Sequence, residues 1–328
     1  MGDRGRAAAI VAEELRSFGH GGSAVKLSRA MSPGIHLIHK PAGPTSFSLV
    51  QSAIESTRAA RPQRRPRVCH GGTLDPFAHG LLLLLVGPAT RLFDYLHDVP
   101  KVYEATVRWG VETDNGDPLG RPTFTGDAAA LSPHQLEDAL ASFLGWHDQV
   151  PPATSAKRID GERAYAKAHR GETVVLPPSR VYLHEATWLG HVLPRESRLR
   201  LVVRGGYYVR SLARDLGRAL GCGAHLGSLH RTAIGPWRDP GPGHQVAMSG
   251  RDLLPWVPAR ELSDQEVGDL RRGATIPTGE AVMPDWQIPA GFPAPRPLVR
   301  GFHLGRLAFL LRPEAGRLHA LVALPGGL

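Results

Sequence analysis

Between Lys101 and Trp109 the chain alternates, with Tyr103, Ala105, Val107 and Trp109 on one side and Glu104, Thr106 and Arg108 on the other. A period of two predicts a half-buried strand. The run RLRLVVRGG, Arg198 to Gly206, predicts a second strand that ends at a glycine pair. Elsewhere the period lengthens to that of a helix. Phe47, Val50 and Ile54 follow Thr45 or Ser46 as cap and predict a helix with these three on its buried stripe. Ser132 and Pro133 open another, with Leu136, Ala139, Leu140 and Phe143 inward and Gly145 ending it. In YYVRSLARDLGRALG the stripe is Val209, Leu212, Ala213, Leu216 and Leu220. Leu81 to Val86 shows no alternation, which predicts an element buried on all sides, helix or strand.

Residues 1–33 read as an N-terminal extension whose order the pattern does not fix, with Met31 as an alternative start to Met1. From Gly34, GIHLIHKPAG reads as a short strand and a turn. Beyond about Gly250 a short helical piece, SDQEVGDLRRG, leads into a loop from Pro277 to Pro297 with six prolines. Two apolar runs flanking PEAG then predict a closing hairpin in a small β-rich module. Strands and helices mixed without regular βαβ alternation predict an α+β fold. The expected division is 1–33, a main domain over 34–249 and a small domain over 250–328.

At 328 residues and 42% hydrophobic content the chain suffices for a large domain and a small one. No apolar run approaches the roughly 18 residues of a membrane span, so no membrane association is expected. Two cysteines, Cys69 and Cys222, cannot make a disulfide framework, and a reducing cytoplasm is the simplest compartment. No histidine, cysteine or acid spacing suggests a metal site. The net charge is +9, with 34 arginines against five lysines. Arginine offers a planar fork that fits phosphate, which favours a polyanionic partner. The densest cluster is RAARPQRRPR, with Arg58, Arg61, Arg64, Arg65 and Arg67; a solvated loop is the plain alternative.

Candidate chemistry centres on CHGGTLDPFAHGLLLLLVG, where Asp75 stands between a glycine pair and an apolar run. Gly71 and Gly72 permit sharp turns and Pro76 fixes the next dihedral, so this loop can hold a carboxylate at a pocket mouth. Capping backbone N–H groups is the simpler role for such an aspartate. Arg210 lies in the first turn of its predicted helix, where the dipole disfavours a cation by about 0.5 kcal/mol, so an anion nearby would account for it. Tyr103 reads first as core.

These residues fall in blocks that resemble the TruB family of tRNA pseudouridine synthases. CHGGTLDPFAHGLLLLLVGPATRLFDYL is similar to its G-H-T-G-T-L-D-P-x-A-T-G-x-L segment, and HKPAGPTSF to its D-K-P-x-G-x-T-S. KVYEATVRWGVETDNGDPLG resembles its K-x-Y strand and T-D-T-x-D-x-x-G loop. QVPPATSAKRIDGERAYAKAHRGE and GGYYVRSLARDLGRALG match two further blocks in the right order. The resemblance spans about Gly34 to Arg238. It departs at Cys69, Gly71, His79, where the pattern has threonine, and His39, where it has aspartate; Ala153-Thr154 is a milder change.

The resemblance implies a pseudouridine synthase fold, a mixed and mainly antiparallel sheet flanked by helices, with a PUA-like C-terminal domain of the standalone bacterial type. It implies isomerisation of the T-loop uridine of tRNA, position 55, without metal or cofactor, in a cytoplasmic monomer with no obligate protein partner. Asp75 would be catalytic, Arg210 its partner, Tyr103 the stacking aromatic, Tyr208 part of the pocket and His70 an RNA contact beside the extruded nucleotide. One carboxylate can serve as nucleophile or base, and attack at C1′, attack at C6 and proton abstraction from the sugar all stay open. Alternative readings are a tRNA-binding and folding factor, or a synthase for T-loop-like hairpins in other RNAs. A glycosidase is disfavoured because no second acid sits in a comparable loop. Phosphate contacts by Arg58, Arg61, Arg64, Arg65 and Arg67 are an extension beyond the resemblance.

Overall fold

The computed structural model describes residues 30–60, 66–155, 158–159, 162–163, 170, 176–284 and 286–328. The 1–29 part of the extension, and Arg61, Arg64 and Arg65, lie outside the described residues. The strands of the first two-thirds are β1 (Gly34–Lys40), β2 (Val68–His70), β3 (His79–Val86), β4 (Lys101–Trp109), β5 (Val111–Thr113), β6 (Pro122–Thr125), β7 (Gly145–Gln149), β8 (Arg158–Ile159), β9 (Glu162–Arg163), β10 (Ser179–Val192), β11 (Glu196–Val203), β12 (Ala224–Ile234), β13 (Trp237–Arg238) and β14 (Gln245–Met248). Three helices accompany them: α1 (Ser46–Ala60), α2 (Pro133–Ala141) and α3 (Val209–Ala219).

The main sheet runs β14-β1-β3-β12-β4-β11-β10-β7, with β2 paired to β3 and β13 to β12. Its pairings are antiparallel except at one seam, β3 with β12, which has two register pairs, His79 with His230 and Gly80 with Arg231. This is the α+β arrangement expected from the mixed pattern. The C-terminal part forms a second sheet, β15 (Ala259–Glu261), β16 (Ile276–Pro277), β17 (Val299–His303), β18 (Arg306–Glu314) and β19 (Arg317–Ala323), with helix α4 (Asp264–Arg271). The closing hairpin turns at Ala315-Gly316, both with positive φ (48° and 75°), the primed turn that matches strand twist.

The leucine run proves to be a strand, β3, covered on both faces, which is why it carries no alternation. Leu82 and Leu84 pack in a cluster with Ile38, Leu49, Val50 and Ala53, under α1. Leu81, Leu83 and Leu85 face the other way, into a cluster with Leu92 and Leu96 of the 3-10 segment Gly87–His97 and with Trp256, Phe302 and Leu307 of the C-terminal part. On β4 the alternation holds, and Tyr103, Ala105, Val107 and Trp109 share a core with Leu212, Ala213 and Leu216 of α3. The α1 stripe differs from expectation. Phe47 is 59% exposed, and Val50, as expected, is buried together with Leu49 and Ala53 as the apolar face. Ser46, the first residue of α1, turns inward to bond the loop before Asp75, and this sets the helix rotation that leaves Phe47 outside. Ser132 makes a capping box with Gln135 at the start of α2, as its sequence position suggests.

Candidate active site

Asp75 lies in the loop between β2 and β3, and three buried side chains hold that loop by hydrogen bonds. Ser46 Oγ donates to the Leu74 carbonyl at 2.8 Å and accepts from the Leu74 N–H at 2.8 Å. Lys40, fully buried at the end of β1, donates from Nζ to the carbonyls of Ala78 (2.7 Å), Pro76 (3.3 Å) and its neighbour Pro41 (2.9 Å). Burial pulls the Lys40 pKa down to about 8, against the attraction of Asp75. Arg231, 1% exposed on β12, donates to the carbonyls of Leu81 (2.7 Å), Thr73 (3.2 Å) and Gly72 (3.2 Å). Lys101 is buried beneath the loop, its Nζ 3.3 Å from where a Cβ on Gly72 would stand, and burial lowers its pKa to about 7.

The two glycines serve different ends. Gly72 has φ +121°, a conformation side chains disfavour. Gly71 needs no positive φ; a Cβ there would meet Leu96 Cδ1 at 2.8 Å. Sequence reasoning gave both a dihedral role, and the structure corrects this for Gly71, which is kept small by packing.

Held this way, the Asp75 side chain points at Arg210, not at backbone N–H groups. Arg210 Nη2 donates to Asp75 Oδ1 at 3.0 Å, and Nε faces Oδ2 at 3.0 Å, off the line of its N–H. The guanidinium is 4% exposed and the carboxylate 27%, so the pair is buried from the arginine side and open from the aspartate side. Arg210 Nη1 donates to the Thr154 hydroxyl at 2.7 Å and the Asn115 carbonyl at 3.0 Å. A second carboxylate, Asp117, lies 3.5 Å from Nη1 with a side chain 7% exposed. Burial raises its pKa to about 6, although Arg210 and the Leu119 N–H oppose the shift. The cation in the first turn of α3 is therefore offset by two acids.

Tyr103, 7% exposed, sits in one apolar cluster with Leu74, Phe77 and Val209, the residues bracketing Asp75 and Arg210. Tyr208 precedes α3, and Gln149 clamps its backbone by donating to its carbonyl at 3.1 Å and accepting from its N–H at 2.9 Å. Burial pushes the Tyr208 phenol up; hydrogen bonding to Ser155 and the charge of Arg210 oppose this, and the charge of Asp75 adds to it. Asp75, Tyr103, and the pair Tyr208 and Arg210 thus converge from three segments. His70, half-buried, ends β2 five residues before Asp75. Arg58 lies in the last turn of α1 and Arg67 precedes β2, both exposed on the surface.

Sequence reasoning missed Asp117, Lys40, Arg231, Gln149 and Thr154 as parts of this site. Asp117, Lys40, Gln149 and Thr154 stood inside the family-like blocks, and for Asp117 and Lys40 a further signal existed, an acid or a cation at a turn beside apolar strands. Nothing local marks Arg231, whose target lies 150 residues away in sequence.

Comparison with known proteins identifies the family. Residues 59–209 match the family model described as TruB family pseudouridylate synthase (N terminal domain), and residues 210–250 match the tRNA pseudouridylate synthase B C-terminal domain. The chain is 42% identical over 255 residues to tRNA pseudouridine synthase B of Parasynechococcus marenigrum (strain WH8102), covering 74% of this chain and 84% of that one. A Thermotoga maritima protein of the same name is 38% identical over 206 residues, 63% of this chain and 64% of its own. Among solved structures, a Cbf5-Nop10-Gar1 complex aligns with TM-score 0.58 at 22% identity over 85% of this chain and 78% of that chain, a likeness of fold. An H/ACA RNP bound to a substrate RNA containing 2'-deoxyuridine aligns with TM-score 0.57 at 19% identity over 89% and 84%. By these matches the chain belongs to the TruB family of pseudouridylate synthases, which are isomerases.

Proposed function

We propose that this protein converts uridine to pseudouridine at position 55, in the T-loop of tRNA, with Asp75 as catalytic residue. The observation that carries this reading is the Asp75–Arg210 pair, a carboxylate 27% exposed and held by a guanidinium that is 4% exposed. The isomerisation breaks the N1–C1′ bond, turns the base and joins C5 to C1′; C5 loses a proton and N1 gains one. It is redox-neutral, and an ionised carboxylate supplies both the nucleophile and the proton acceptor it calls for. Arg210 orients that carboxylate through a charge-assisted contact.

A uridine in folded RNA reaches Asp75 only when extruded, which costs stacking. Tyr103 would restore part of it, at roughly 1–3 kcal/mol per base, and Tyr208 would close the pocket wall. His70, on the same strand-loop unit as Asp75, would contact the RNA beside the extruded nucleotide. Exposed Arg58 and Arg67, with Arg61, Arg64 and Arg65, would meet phosphates. The C-terminal sheet would add a PUA-like RNA surface beyond about Gly250. Support for tRNA as substrate comes from relatives named tRNA pseudouridine synthase B. We read the protein as a cytoplasmic monomer; among the described residues no helix is long and apolar enough to cross a membrane. Product formation on an unmodified T-arm stem-loop, compared with messenger and ribosomal hairpins of similar shape, tests the assignment. Equal rates on all of them would contradict T-loop specificity.

A further inference from the structure

On the face of the sheet opposite the catalytic loop anchors, three histidines gather round one aspartate. Asp239 follows β13; its Oδ2 lies 2.8 Å from His39 Nδ1 on β1 and 2.9 Å from His230 Nε2 on β12, and its Oδ1 lies 3.0 Å from the same His39 nitrogen. An ionised carboxylate only accepts, so both imidazoles donate to it. His79, the first residue of β3, stacks on His230 with ring centres 4.5 Å apart and planes 16° apart, and lies 5.9 Å from His39. The group is not arranged to hold a metal ion. Two of its members, His39 and His79, are departures from the family pattern.

Two of the histidines are chain neighbours of residues that fix the Asp75 loop, and the third is the neighbour of a loop residue so held. His39 precedes Lys40, which holds Pro76 and Ala78; His79 follows Ala78; His230 precedes Arg231, which holds Gly72 and Thr73. Successive strand residues point to opposite faces, so His39 and His230 lie behind the sheet while Lys40 and Arg231 reach the loop in front. In strand order β3 lies between β1 and β12, and its parallel seam with β12 has two register pairs. Asp239 therefore straps β1 to β12 across the strand that leaves the catalytic loop.

We propose that Asp239 is a positioning residue for the reaction: its strap fixes the spacing of Lys40 and Arg231, and through them the loop that carries Asp75. The strap is sensitive to protons. The groups facing His79 are His39, His230 and Asp239, with Lys40 near and Glu104 in register with His230 on β4. Burial, then His230 and His39, hold the His79 pKa below its ordinary value, with Asp239 opposing. A proton gained by His79 sets a cation against the face of His230 and loosens the strap, so its grip on the loop weakens toward acid pH.

The test compares wild type with Asp239→Asn by amide hydrogen exchange over residues 71–78, and by single-turnover rate and RNA affinity on an unmodified T-arm stem-loop from about pH 5.5 to 8.5. The strap predicts faster exchange in the loop and a rate loss of about ten-fold, with affinity within about two-fold of wild type. The loss should be smaller at the acid end, where protonation of His79 has already loosened the wild-type strap. Unchanged exchange in a folded Asp239→Asn protein overturns the proposal, as does a loss of RNA affinity without a change in exchange. The rate arm rests on the T-arm reading and the exchange arm does not, so a wild type inactive on that RNA refutes the reading and leaves exchange to decide on the strap. Should Asp239→Asn fail to fold, His79→Thr decides: the acid limb of its loop-exchange and rate profiles moves to lower pH, and profiles identical to wild type overturn the proposal.

Discussion

Arg210 meets Asp75 along one edge of its guanidinium, Nη2 to Oδ1 and Nε to Oδ2, each at 3.0 Å. The arginine arrives from the first turn of α3 and the aspartate from a loop 135 residues earlier, so the pair records how the fold closes. Removing the arginine would leave Asp75 and Asp117 facing each other without the cation between them. Breaking a buried pair from one side costs about 3–5 kcal/mol. We expect Arg210→Gln to lower the single-turnover rate by about 100-fold or more, with RNA affinity largely kept. A rate within about three-fold of wild type would contradict the role given to the pair.

Asp117 sets a pH signature. Its folded pKa, about 6, lies above its ordinary value of 3.8 because burial disfavours the charge. The folded state thus holds more protons than the unfolded one between those values, and this group's contribution to stability falls as pH rises from about 4 to about 6. Asp117→Asn should remove that slope and raise stability at neutral pH, on the order of 3 kcal/mol, while slowing catalysis. Thermal melts across this range check it; a slope unchanged by the substitution would show that Asp117 does not titrate there.

Lys40 ties three carbonyls to one ammonium in a fully buried place. Lys40→Met keeps the volume and leaves those acceptors unpaired, which costs about 1–3 kcal/mol for each one that stays dry. The expected outcome is a lower melting temperature together with a slower reaction, measured by calorimetry and single-turnover assay.

Tyr103 is to be tested by ring and by hydroxyl. Tyr103→Phe preserves a stacking face and should retain binding of the extruded base, while Tyr103→Ala should lose about 1–3 kcal/mol of it. Fluorescence of 2-aminopurine placed beside the target uridine reports extrusion in each variant.

The arginine loop predicts a salt effect. Neutralising Arg58, Arg61, Arg64, Arg65 and Arg67 together should reduce tRNA affinity and flatten its dependence on salt, by up to about 0.9 in slope for every phosphate no longer neutralised. Affinity and slope equal to wild type would remove this loop from the RNA interface.

Much of this was legible in the chain, and the limits have physical causes. Period-two alternation placed β4 and its inward Tyr103, and the α3 stripe placed Arg210 in a first turn, because both patterns are written by one buried face. The leucine run left helix and strand open, since an element buried on both faces has no period to read. The α1 stripe was misjudged at Phe47 because Ser46 commits its hydroxyl to Leu74, a contact 28 residues away. The anchors Lys40 and Arg231, and the strap on Asp239, depend on strand order. Strand order brings together residues as far apart as His39 and Asp239, 200 positions, and no local pattern encodes it.

The most direct test of the central claim is a carbodiimide-based pseudouridine assay on an unmodified T-arm stem-loop, run with wild type and with Asp75→Asn. The account predicts product with the first, none with the second, and similar RNA binding by both. Product from Asp75→Asn at the wild-type rate would contradict the assignment of Asp75, and no product from wild type despite tight binding would contradict the assignment of this RNA.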